Sequence, residues 1–226
     1  HAAWRELRIG IALGTSSGGL ASFLDALSVL DDGRLVPRDL ARRAPYFGPL
    51  ELVAATLGVR AEHEVQLLAA CASSSFALGQ ALGWLSLDVV DLVIAGGYDA
   101  VTPFVAAGFE ALGATSSAPA PFRARRSGLA LGEGAALLAL TRYADTALLG
   151  THAEGTVVTS FKGSVGHTLG AAGALETLHA LSALDAGLAP ATCGSGAVDA
   201  ACPCRVLDRG ERSATRVCLK LSSAFG

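Results

Sequence analysis

The run Val89-Val90-Asp91-Leu92-Val93-Ile94-Ala95, closed by Gly96-Gly97, is apolar almost throughout. A strand with one wet face alternates apolar and polar residues. A nearly continuous run needs cover on both faces, which commits the chain to helices layered on a buried sheet. Composition agrees: 51% of the 226 residues are hydrophobic and 16% are charged, enough to fill a substantial core. The expected class is α/β.

Around that run, residues 7–13 read as a strand entering the loop Gly14-Thr15-Ser16-Ser17-Gly18-Gly19, followed by a helix through Leu30. The loop lacks the Gly-Lys-Ser/Thr ending of a phosphate-binding loop, so its glycines are expected to serve a tight turn and close packing. Residues 45–57 read as a helix with its entry, 65–70 as a short strand, and 74–87 as a helix. Two short strand-like pieces are expected within 128–141, on either side of Gly132-Glu133-Gly134. A long helix is expected over 169–188 and a strand over 214–221. Strand and helix alternate along the whole chain, without an internal repeat.

A formal charge of −3 argues against a large nucleic-acid surface, although Arg123, Arg125 and Arg126 form a local basic patch. The uncharged residues 65–87 are interrupted by Gln66, Ser73, Ser74, Ser75, Gln80 and two glycines, so a strand and helix are expected there rather than a membrane span. The opening shows no basic segment followed by an apolar stretch and cleavage site, and a cytoplasmic protein is expected. Five cysteines at irregular spacing give no zinc pattern. Cys193, Cys202, Cys204 and Cys218 are read as reduced thiols without a metal.

Cys71 differs from these four by its position. In Leu68-Ala69-Ala70-Cys71-Ala72-Ser73-Ser74-Ser75 it stands where an apolar strand turns into a helix. Free amides and the positive end of the helix dipole there favour a thiolate, and the same amides can hold an oxyanion. A buried structural cysteine fits this segment equally well unless a base lies nearby. Two of the five histidines supply candidates. His152 lies in Thr151-His152-Ala153-Glu154-Gly155-Thr156, and His167 in a run from Phe161 to Thr168 with glycines at 163 and 166. Such loops let an imidazole approach a ligand closely. His1, His63 and His179 are read as surface or structural residues.

Taken together, these segments resemble the β-ketoacyl synthases of the thiolase superfamily. Ala70-Cys71-Ala72-Ser73-Ser74 looks like the family's nucleophile motif. His152-Ala153-Glu154-Gly155-Thr156 resembles its first histidine motif with two positions changed. Lys162-Gly163-Ser164-Val165-Gly166-His167-Thr168-Leu169-Gly170-Ala171-Ala172-Gly173 is similar to the second, with Glu176 where the family often carries a glutamate. The Gly-Glu-Gly segment and Ser223-Ala224-Phe225-Gly226 complete five motifs in family order.

The resemblance implies a layered α-β-α-β-α fold in a single domain, residues 1–226, with halves at about 1–142 and 143–226. It implies decarboxylative condensation of an acyl group held on Cys71 with a malonyl unit, both delivered on the phosphopantetheine of an acyl carrier protein, with no other cofactor. His152 and His167 would stabilise the enolate oxygen, Lys162 and Glu176 would support His167, and Phe225 would gate the two half-reactions. A homodimer, or a heterodimer with a related subunit, is the implied assembly.

The sequence also departs from the pattern. The stretch from Asp145 to Thr151 is much shorter than the resemblance requires, and the acidic helix expected after Thr156 is absent, so the sequence reads as a family member with segments missing. Arg123 and Ser127 stand where acidic residues are frequent. Other readings are a non-catalytic chain-length partner subunit, a thiolase, which usually carries a second catalytic cysteine, and a cysteine thioester hydrolase.

Overall fold

A computed structural model describes residues 7–141, 157–194, 196–200, 205–215, 218 and 220. His152, Phe225, Cys202 and Cys204 lie outside the described residues, as do Arg216, Val217, Leu219 and Leu221 of the strand expected over 214–221.

The first strand, β1 (Ile9–Gly14), is buried along its whole length, and its pleat sorts side chains by size. Ile11 and Leu13 point to one face, where they pack with Leu50, Val53 and Tyr98. Ala12 points to the other and joins Ala77, Ala81, Leu85, Val93 and Ala95. Small residues on this second face allow close approach of a helix, and Gly14 takes that to its limit. A Cβ there would come within 2.2 Å of the Ser73 carbonyl carbon and the Ser74 nitrogen.

Three helices, α1 (Leu20–Asp31), α2 (Arg38–Arg43) and α3 (Gly48–Leu57), carry the chain to β2 (His63–Leu67). From there α4 (Ser73–Ser86) crosses to β3 (Leu92–Asp99). Strand order is β2-β1-β3-β4, with β1 parallel to both neighbours. The run that commits the chain to layers is thus an interior strand, offset toward its C-terminal end relative to the 89–95 expected. Its Gly96-Gly97 lies inside the strand instead of closing it.

After β3 comes α5 (Pro103–Ala111), for which Thr102 is the N-cap, its hydroxyl accepting from Val105 N at 3.3 Å. The sheet then closes with β4 (Gly134–Thr141), antiparallel to β3. Only the second of the two pieces expected in 128–141 is therefore a strand. Leu129 and Leu131 make single bridges, to Thr115 and His167, because that segment spans between loops rather than along a neighbouring strand.

The second half holds β5 (Val157–Val158), α6 (Lys162–Val165), α7 (Ala172–Asp185), β6 (Leu188–Ala189), β7 (Arg205–Val206) and β8 (Glu211–Arg212). β5 pairs with β7 and β6 with β8. The helix expected over 169–188 begins instead with a 3-10 turn, Leu169–Ala171, and becomes α-helical at Ala172. α4 and α7 pack against each other and on one side of the sheet, while α3 lies against β1 and β2.

Candidate active site

Cys71 is buried and occupies the turn just before α4, whose N-cap is Ala72. Ala70, immediately before it, has φ 45°, a left-handed conformation that a residue with a Cβ adopts only when its surroundings impose it. Ser73 imposes it. Its hydroxyl accepts from Ala69 N at 2.8 Å and donates to Ala70 O at 2.6 Å. The amides of Ala72 and Ser73 donate to the carbonyls of Ala69 and Ala70, at 2.9 and 3.1 Å. The free amides expected at this turn are therefore not those two: the tight elbow consumes them.

His167 is held from three sides. Its backbone N–H donates to Ala130 O at 2.6 Å and its carbonyl accepts from Gly132 N at 3.0 Å, so the Gly-Glu-Gly segment grips it as a one-residue strand partner. Its Nδ1 accepts from Leu169 N at 3.2 Å. A nitrogen that accepts carries no proton, so the neutral ring presents Nε2–H as a donor. Burial, reinforced by the positive charge of Lys162, lowers the His167 pKa to about 4, which keeps the ring neutral at pH 7. This is a hydrogen-bond donor that carries no net charge.

Lys162 opens α6 and pairs with Glu176 of α7, and Glu176 also pairs with Lys220 at 3.1 Å. The carboxylate thus bridges two ammonium groups. Lys220 reaches on to the Ser75 hydroxyl at 3.3 Å, and desolvation lowers its pKa despite the attraction of Glu176. The ring of His167 is oriented by the Leu169 amide, and Lys162 acts on it electrostatically. Lys162 and His167 share a cleft of about 360 Å³ with Ser160, Arg126, Leu129 and Ala130. Cys71 is not in the described lining of that cleft.

The turn after Cys71 and the turn after His167 meet at Gly173. A Cβ on Gly173 would lie 2.4 Å from Ser75 Oγ and 2.7 Å from Ser74 Oγ, so only glycine lets α7 start this close to α4. Ser74 Oγ accepts from Ala174 N at 3.1 Å, satisfying one of the amides that the start of α7 leaves unpaired.

Sequence reading missed two charged residues at this junction, Lys220 and Asp99. Asp99, at the end of β3, is buried and accepts from Thr15, Ser16, Ser17 and Gly170. Five donors of the Gly14–Gly19 loop, from Thr15, Ser16 and Ser17, are therefore occupied by the chain's own carboxylate. The signal available was an acidic residue ending an otherwise buried apolar strand. Arg123, noted for its unusual charge, is also buried and pairs with Asp208, while its Nε has no partner among the described residues. Ser127 shares a hydrogen bond of 2.9 Å with Ser116. Cys193 takes one at 3.1 Å from Ser164, and His179 stacks on Phe161 at 4.3 Å.

Two family models match this chain: the β-ketoacyl synthase N-terminal domain over residues 6–146 and the C-terminal domain over 139–195. The chain belongs to the β-ketoacyl synthase family. A putative polyketide β-ketoacyl synthase 1 of Streptomyces halstedii is 27% identical over 310 residues, covering 97% of this chain and 73% of that protein. Because that alignment is longer than the 226 residues here, the relative carries internal residues this chain lacks, in keeping with the missing segments expected. The 3-oxoacyl-[acyl-carrier-protein] synthase 2 of Rhizobium meliloti is 30% identical over 150 residues, 60% of this chain and 34% of that protein. The chain thus spans about a third of one curated relative and under three quarters of the other. Among solved structures, a β-ketoacyl synthase from Burkholderia phymatum superimposes with TM-score 0.75 at 25% identity, over 94% of this chain and 71% of that one. The ishigamide ketosynthase/chain length factor, 21% identical over 91% of this chain and 70% of its own, shares the fold with the same score. The layered α/β fold is therefore the thiolase-like fold of ketosynthases.

Proposed function

We propose that this chain is a β-ketoacyl-acyl carrier protein synthase of fatty-acid, polyketide or polyene assembly. The observation that carries the reading is the His167 ring, neutral and presenting Nε2–H, on a turn packed against the start of the helix that Cys71 precedes.

In the proposed reaction the Cys71 thiolate attacks the thioester carbonyl of an acyl-loaded carrier protein, and the carrier's sulfur leaves as a thiolate. Malonyl-carrier then loses CO₂, and the electron pair of the broken bond becomes an enolate. His167 donates from Nε2 to the developing oxyanion, with His152 as the second donor. The enolate carbon attacks the acyl-Cys71 carbonyl, expels the Cys71 thiolate and leaves a β-ketoacyl chain on the carrier. Neutrality of His167 suits this role, since an uncharged ring donates without giving up its proton. Lys162 and Glu176 hold the local charge, and Phe225 gates the two half-reactions. No cofactor is invoked beyond the carrier's phosphopantetheine. The partners are an acyl carrier protein and a second ketosynthase-like subunit, the domain is residues 1–226 with halves at about 142, and the compartment is the cytoplasm. No helix among the described residues is long and apolar enough to cross a membrane.

Incubation with acyl-carrier and malonyl-carrier tests the reading by mass spectrometry of the carrier-bound product. A β-ketoacyl product two carbons longer than the starter, lost in His167→Ala, is expected. Release of free acid without malonyl consumption would replace the reading with a thioester hydrolase. Condensation without CO₂ release would replace it with a thiolase. Neither acyl transfer nor condensation would favour a non-catalytic partner subunit.

A further inference from the structure

We propose that Asp99 is a positioning residue for His167, acting through the amide of Gly170. Its function in catalysis rests on the reaction proposed above; its action on the ring does not.

The carboxylate collects six donors: Thr15 Oγ1 at 2.9 Å, Ser16 N and Oγ at 2.8 Å, Ser17 N at 3.0 Å and Oγ at 2.5 Å, and Gly170 N at 2.5 Å. Five belong to the loop after β1, so the carboxylate is fixed in place before it meets the sixth. Buried and surrounded by neutral donors, it is a rigid acceptor anchored at the end of β3.

The sixth contact falls where it controls the histidine. Leu169 lies between His167 and Gly170 and has φ 50°, left-handed for a residue that resists it. On one side of that torsion is the Leu169 N–H, which donates to His167 Nδ1 at 3.2 Å. On the other side is the Gly170 peptide, tied to Asp99 Oδ2. Pinning Gly170 therefore holds the torsion that aims Leu169 N–H at the ring. Without it, Leu169 is released toward ordinary backbone conformations, Nδ1 loses its donor, and the proton is no longer confined to Nε2. The catalytic donor would then be present in only part of the molecules.

The test is ring-¹⁵N histidine NMR of the full chain at pH 7, which reads the tautomer without reference to activity, alongside condensation kinetics. In the wild-type protein His167 should be protonated at Nε2 alone. Asp99→Asn should give a mixture of tautomers and lower kcat about tenfold, with the KM for acyl-carrier within about twofold. Gly170→Ala provides a second route, since its Cβ would meet Asp99 Oδ2 at 2.5 Å and displace it from the amide. Thr15→Val removes one donor from the other carboxylate oxygen, and should lower Tm while leaving the tautomer unchanged. A folded Asp99→Asn or Gly170→Ala protein with His167 still wholly Nε2–H overturns the proposal. If both variants fail to fold, a wild-type ring protonated at Nδ1 overturns it, and a wild-type ring protonated at Nε2 with a slowly exchanging Gly170 amide supports it. A wild-type chain with the expected tautomer and no condensation activity would instead sink the synthase reading and leave the positioning intact.

Discussion

Lowering the pH should remove a defined amount of stability through His167 alone. The folded ring titrates at about 4 against an ordinary 6.5, because burial and Lys162 disfavour the charged form. Its folded pKa is depressed, so between pH 6.5 and 4 the unfolded chain binds the proton that the folded chain refuses, and stability falls as pH falls through that window. At about 1.4 kcal/mol per pH unit, the full loss is about 3 kcal/mol, complete near pH 4 and absent above pH 7.5. Other groups also titrate in acid, so the informative quantity is the difference in urea-unfolding free energy between wild type and His167→Asn. That difference should shrink by about 3 kcal/mol between pH 7.5 and pH 4, and the wild-type ring should titrate by NMR with a midpoint near 4. A difference that does not change with pH, or a midpoint near 6.5, would refute the argument that the ring is kept neutral by its surroundings.

Three further outcomes follow from the same contacts. Lys162→Met should raise the His167 titration midpoint, and Glu176→Gln should lower it, since the first removes a repelling charge and the second an attracting one; NMR titration of each variant reads the direction. Ser73→Ala removes both hydrogen bonds that hold Ala70 in its left-handed conformation, and should cost about 1–3 kcal/mol in denaturant unfolding while altering the alkylation rate of Cys71. Thr102→Ala removes the only side-chain cap of α5 and should cost about 1 kcal/mol with no change in that rate.

How much was legible in the sequence differs from element to element. The buried strand at β3, the loop and helix after β1, and α4 carried strong local patterns, because uninterrupted apolar runs and glycine punctuation leave few alternatives. The segment before Gly134 reads as strand in the sequence because apolar residues spaced at two fit a strand or a bridging loop alike; only the position of His167 distinguishes them. The helix over 169–188 was legible in period but not in its first turn, where Asp99 and His167 together hold Leu169 away from α-helical geometry. Cys71, His167, Lys162 and Glu176 were all singled out from motifs, and Lys162 with Glu176 meet as an ion pair. Asp99 was not singled out, since its six donors come from segments more than seventy residues away in the chain and no local pattern announces them. Lys220, which gives Glu176 a second cation, escaped notice for the same reason.

Cys71 is the proposed nucleophile. The most direct test is the intact mass of the purified protein before and after incubation with a carrier protein loaded with a short acyl chain, with Cys71→Ala in parallel. An increment equal to the acyl group on the wild type, absent from the variant, is the predicted result. No increment on folded wild-type protein, or one that survives in Cys71→Ala, would contradict it.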